Sequence, residues 1–92
     1  MTKKQIKLLE EASKKLNDAN VLISDAQSII EDIMNEHQGT FDNKSEKWQE
    51  SERGEEAQEL IANLESSIES LGTALEVIEE GVGYVDDIVN NS

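Results

Sequence analysis

Leu9, Ala12, Leu16, Ala19, Ile23, Ala26, Ile30 and Ile33 follow one another at alternating steps of three and four residues. Apolar residues at that spacing fall on one stripe of an α-helix and mark the a and d positions of a heptad, with His37 on the next a. Leucine or isoleucine occupies a, while d is alanine until Ile33. Leu8, Leu22 and Ile29 stand at g and widen the stripe, which suits a bundle better than an isolated two-stranded coil. The second half repeats the pattern through Ala57, Ile61, Leu64, Ile68, Leu71, Leu75, Ile78, Val82, Val85 and Val89, now with large residues at both a and d. Leu60, Ala74 and Ile88 form its g row. Small alanines on one helix can face large residues on the other and permit close approach.

The spacing therefore predicts an all-α chain, a single helical domain over residues 1–92. Helix 1 is expected over about 2–38, stopped by Gly39. A connecting segment with a short helical turn follows over about 39–51, then helix 2 over about 52–90. Ser51 is the expected N-cap of helix 2, and Glu52, Glu55 and Glu56 suit the positive end of its dipole. Each helix would be on the order of 55 Å long. Equal lengths and a central connection predict an antiparallel two-helix hairpin with coiled-coil-like packing. Lys3, Lys4 and Lys7 oppose the dipole of their own helix, and the antiparallel arrangement would lay them beside Glu79, Glu80, Asp86 and Asp87.

Gly72, Gly81 and Gly83 each weaken helix 2 by roughly 1 kcal/mol relative to alanine. The heptad runs past them, so continuity is expected, with a kink or fray near 81–83. They read either as tolerated surface glycines or as points of close approach for a second chain. A two-helix hairpin has no third layer to cover both apolar flanks. Two hairpins pairing into a four-helix bundle would cover them, so a homodimer is expected. Its self-association core is drawn from Leu9, Leu16, Ile23, Ile30, Ile61, Leu64, Ile68, Leu71, Leu75 and Ile78.

Charge narrows the partners. The 92 residues carry a net charge of −13, with neither cysteine nor proline. Residues 1–16 hold five lysines against Glu10 and Glu11, so the surplus of acid lies in the remainder. Such a field repels phosphate backbones and argues against direct nucleic-acid binding. It suits solubility, or an acidic surface facing a basic protein partner. No apolar run approaches the roughly 20 residues a membrane span needs. The N-terminus has lysines but no apolar h-region, so a soluble protein without a cleaved leader, cytoplasmic in a bacterial host, is expected.

The segment from Gly39 to Glu55 is long for a helical hairpin and holds Phe41 and Trp48, two of the three aromatics, and Arg53, the sole arginine. Ser45 can cap a short turn through Trp48 and Gln49. Phe41 and Trp48 may be read in two ways: as a cap on the open end of the core with Arg53 paired to a carboxylate, or as a recognition loop. On the second reading Phe41, Asp42, Asn43, Trp48, Gln49, Glu52, Arg53 and Gly54 are the candidate partner-binding residues.

Phe41-Asp42-Asn43, Ser45-Glu46 and Trp48 through Glu55 together resemble a motif of small acidic helical proteins from bacteriophages and mobile elements. There the segment reads approximately F-D-N-L-P-E-S-L-Q-x-S-E-R-G-E between two Leu/Ile/Ala/Glu-rich helices. The likeness is close over about fifteen residues and extends to the flanking helices by pattern only. It departs at Lys44, at Ser45 where proline is usual, and at Lys47. The resemblance implies a phage-type origin and no mechanism, because that family is defined by its unknown function. A likeness to the secreted WXG100 hairpins is weaker. Trp48-Gln49-Glu50 lacks glycine two residues after tryptophan, and Ile88 stands four after Tyr84 where an acid is needed.

No catalytic, cofactor or metal site is expected. His37 is the one histidine and lies on the core-facing stripe, where packing or capping explains it better than general base chemistry. Glu76, Glu79 and Glu80 have helical spacing, but a helix this acidic produces such spacings as a solvated face. The Glu-x-x-His pattern of di-iron bundles fails at Met34. Ser51-Glu52-Arg53-Gly54 is too acidic for a phosphate loop. The expected function is a non-enzymatic protein-binding module, a phage- or mobile-element-encoded modulator or inhibitor of a host protein. Its acidic surface would mimic nucleic acid. The alternatives are a scaffold acting by self-association and, further off, a small-ligand-sequestering oligomer.

Overall fold

The computed structural model describes residues 1–92 as three helices: α1 (Lys3–Asp42), α2 (Glu46–Gln49) and α3 (Glu52–Asn90). The long helices α1 and α3 pack antiparallel along their whole length, giving a rod 68 Å long and about 15 Å across. Thr2 starts α1 with a capping box: its hydroxyl accepts from the Gln5 amide at 3.1 Å, and the Gln5 side chain accepts from the Thr2 amide at 3.1 Å. Two donors that a helix start leaves orphaned are thereby satisfied.

Gly39 does not stop α1. The helix continues to Asp42, and no glycine in the chain has a positive φ. A glycine ends a helix by adopting the left-handed conformation, and Gly39 stays helical because Phe41, two residues on, is held against α2. Asn43 is the C-cap instead. Ser51 caps α3 as expected, and α3 runs unbroken through Gly72, Gly81 and Gly83.

Burial shows how the two stripes meet. On α3, Ala57, Ile61, Leu64, Ile68, Leu71, Leu75, Ile78, Val82, Val85 and Val89 are all buried or half-buried, so the a and d positions form its seam. On α1 the seam is different. Ile6, Leu9, Ser13, Leu16, Asn20, Ile23, Gln27, Ile30, Met34 and Phe41 are buried or half-buried, which is an alternation of a with e. Ala12 and Ala19 are half-buried at its margin, whereas Ala26, Ile33 and His37 are exposed. The helix is thus turned by one heptad position from the a/d seam, and His37 is a surface residue. Leu9, Leu16, Ile23 and Ile30 are engaged within one chain, against Ile61, Leu64, Ile68, Leu71, Leu75 and Ile78.

Polar side chains make this rotation workable. The Ser13 hydroxyl donates to the Asp86 carboxylate at 2.8 Å, and the Gln27 amide donates to the Ile68 carbonyl at 3.0 Å. Small or flexible e residues opposite large a and d residues let the axes approach, and hydrogen bonds satisfy what is buried. Asn20 Oδ1 is the exception, buried without a partner. The seam is thin: Ser13, Gly54, Ile61 and Val82 are the only buried residues.

Lys3, Lys4 and Lys7 do not pair with acids of α3. The single ion pair is Lys15 with Glu11, 3.8 Å apart on one helix. The three lysines lie at b, c and f, away from the seam, and Asp86 is engaged by Ser13.

Candidate interaction surfaces

The turn between α1 and α3 is a built corner. Ser45 caps α2 by accepting from the Trp48 amide at 3.2 Å. The Gln49 side-chain amide donates back to the Phe41 carbonyl at 2.9 Å and to the Lys44 carbonyl at 3.3 Å, tying α2 to the end of α1. Ser51 accepts from the Gly54 amide at 3.3 Å, and its hydroxyl donates to the Trp48 carbonyl. The Phe41 and Trp48 rings meet edge to face, 6.2 Å between centroids, and the Lys44 ammonium lies 5.2 Å from the Trp48 ring. Edge-to-face contact and a cation over the indole are both favoured by the ring quadrupole.

Gly54 fixes the corner from the other side. A Cβ at this position would fall on the carbonyl oxygens of Trp48 and Gln49, far inside van der Waals contact. The first turn of α3 can cross the end of α2 only where a side chain is missing.

The candidate partner-binding residues therefore divide. Phe41, Trp48, Gln49 and Gly54 are half-buried or buried parts of the corner, while Asp42, Asn43, Glu52 and Arg53 are exposed on it. Arg53 has no ion-pair partner. Lys44, a departure from the motif, packs on Trp48, a contact that apolar spacing does not signal. Gly54, three residues after the Ser51 cap, also serves the crossing of α3 over α2.

Around the corner the surface is acidic. Residues 31–69 hold twelve acids against Lys44, Lys47 and Arg53, a net charge of −9. The opposite end of the rod carries all five remaining cations, Lys3, Lys4, Lys7, Lys14 and Lys15. Nine acids share the rest of the chain with these five lysines, so the charge is uneven along the rod, −9 over residues 31–69 against −4 elsewhere.

A second surface runs the length of the hairpin. The bond of Ser13 to Asp86 and the approach of Gln27 to Gly72 join e positions and mark one side of the seam. In an antiparallel pair the two g rows then share the other side. Leu8, Leu22 and Ile29 of α1 stand there with Leu60 and Ile88 of α3, and the adjoining c positions add Val77 and Tyr84. All seven are exposed, Leu22 at 69% and Val77 at 59%. They give this side an apolar character, interrupted by Lys15 and Glu36 in the g row of α1.

Nowhere do three His, Asp or Glu side chains converge to hold a metal ion. No helix is long and apolar enough to cross a membrane. Compared with protein-family models, curated proteins and solved structures, the chain matches none.

Proposed function

We propose that this chain is a non-enzymatic protein-binding module whose acidic corner engages a basic surface on another protein. The observation that carries this reading is the coincidence of a −9 charge with a rigidly built turn at one end of the rod. A field of one sign steers an oppositely charged partner and raises its association rate. A corner fixed by hydrogen bonds, ring contact and a glycine crossing loses little entropy on binding. Asp42, Asn43, Glu52 and Arg53 are its outward-facing contacts. The motif resemblance supports a phage- or mobile-element-encoded modulator of a host protein, working in the bacterial cytoplasm, with the acidic surface standing in for nucleic acid.

The test is capture from bacterial lysate at 20 and 200 mM salt, with wild type beside a Glu46→Gln/Glu50→Gln/Glu52→Gln variant that leaves the corner's own bonds intact. A basic protein retained by wild type at low salt, and lost both at high salt and in the variant, is expected. Retention indifferent to salt and to the three substitutions would contradict the reading.

A second reading is self-association as a scaffold. The exposed apolar face favours it, since nothing in a single chain covers Leu8, Leu22, Ile29, Leu60 or Ile88.

A further inference from the structure

The exposed apolar face has a geometry that selects its occupant. We infer that a second copy of this chain covers it head to tail, with α1 on α1 and α3 on α3, the lysine end of each hairpin lying along the acidic end of the other. This rests on the self-association reading and adds orientation and register to it.

The face is large enough. One side of the rod, 68 by 15 Å, has a footprint on the order of 1,000 Å², against about 800 Å² per partner in a standard stable interface. The chain also has reason to be covered, because a two-helix layer with four buried residues is a thin core.

Charge sets the orientation. Lys4 at c and Lys15 at g flank the face at one end of the rod. At the other end the charged c and g positions are Asp32 and Glu36 of α1 with Glu56 and Arg53 of α3, a surplus of acid. Within the chain Glu11, at c, already pairs with Lys15 at 3.8 Å, while Asp86 and Asp87 lie at e and f, off this face. Parallel pairing would set one −9 end against another. Head-to-tail pairing instead lays the lysine-bearing flank of each copy along the acidic end of the other.

Register follows from the hairpin's own pairing. Ser13 lies opposite Asp86, and Gln27 opposite Gly72, fourteen residues along each helix. Equal steps put Val77 level with Leu22, Ala74 just beyond it near Ala26, and Leu60 level with Gly39. A two-fold axis across the middle of the face, between Leu22 and Ala26, then seats Leu22 of each copy on Ala26 of the other and Val77 on Ala74. The same axis brings Lys15 over Asp32 and Leu8 towards Leu60. One axis satisfies large-on-small packing at the centre and opposite charge at both flanks. Ala26, exposed and unused by the intrachain seam, acquires a role as the receiving surface.

Sedimentation equilibrium on the full chain tests this, using wild type, Leu22→Asp, Lys15→Asp, Asp32→Lys and the Lys15→Asp/Asp32→Lys double variant. All three positions are exposed, so circular dichroism should show unchanged helicity. Wild type is expected as a dimer, and Leu22→Asp should raise its dissociation constant by more than about a hundredfold. Each single charge reversal should raise it about tenfold, and the double variant should return to within about threefold of wild type. A monomeric wild type at 50 µM would overturn both the pairing and the self-association reading. A dimer broken by Leu22→Asp but not restored in the double variant would overturn the head-to-tail register alone.

Discussion

Gly54 and Asn20 act on the hairpin's stability in opposite directions. At Gly54 any side chain meets the carbonyls of Trp48 and Gln49, and backbone yields poorly. Gly54→Ala should therefore lower stability by about 1–3 kcal/mol in urea unfolding. Gly39 and Gly83 have open space where a Cβ would go, so Gly39→Ala and Gly83→Ala should each gain about 0.5–1 kcal/mol. Equal responses at all three would refute the crossing. Asn20 leaves its carbonyl oxygen buried and unpaired in the seam. Asn20→Leu should raise stability by about 1 kcal/mol, because it removes an uncompensated polar atom; a loss there would show that the oxygen is satisfied in solution. Neither residue announces itself in the pattern of apolar positions. A glycine behind an N-cap and an asparagine beside a stripe are visible as letters, and their contacts exist only once three helices meet.

At the scale of elements, the apolar spacing of α3 was legible to the residue, from Ala57 to Val89, because large residues fill both a and d. The α1 stripe was legible as helix but not as seam. Its apolar positions span a, d and g, and a single partner helix can cover only part of that arc. The part it covers is shifted towards e by Ser13, Asn20 and Gln27, which apolar periodicity does not count. The corner was legible as caps, Ser45 and Ser51, and as an unusual cluster of Phe41, Trp48 and Arg53, while the bridging role of Gln49 was not. Ser51 is the hinge of that corner, accepting from Gly54 and donating to Trp48. Ser51→Ala should cost about 1–2 kcal/mol, and hydrogen exchange should quicken in the first turn of α3 and in α2 while mid-seam amides of α3 stay protected relative to them. Uniform loss of protection along α3 would mean the corner does not fold as a separable unit.

On the scale of the molecule, charge and apolar surface pull in different directions. A net charge of −13 on a rod this slender strains it by self-repulsion. Raising salt from about 10 to about 150 mM, which shortens the screening length from roughly 30 to roughly 8 Å, should therefore raise the urea midpoint. A midpoint that falls over that range would mean the net field is outweighed by specific attractions. Head-to-tail pairing would add less repulsion than parallel pairing, because it keeps the two acidic ends apart, and it would leave one acidic corner at each end, so a paired molecule would be bivalent for a basic partner. Both properties depend on the apolar face being covered along its full length. Small-angle scattering of the native chain measures that directly. Twice the chain's mass of 10.3 kDa is expected, with a longest dimension still close to the hairpin's own 68 Å. A single-chain mass, or a doubled mass in a particle approaching twice that length, would contradict it.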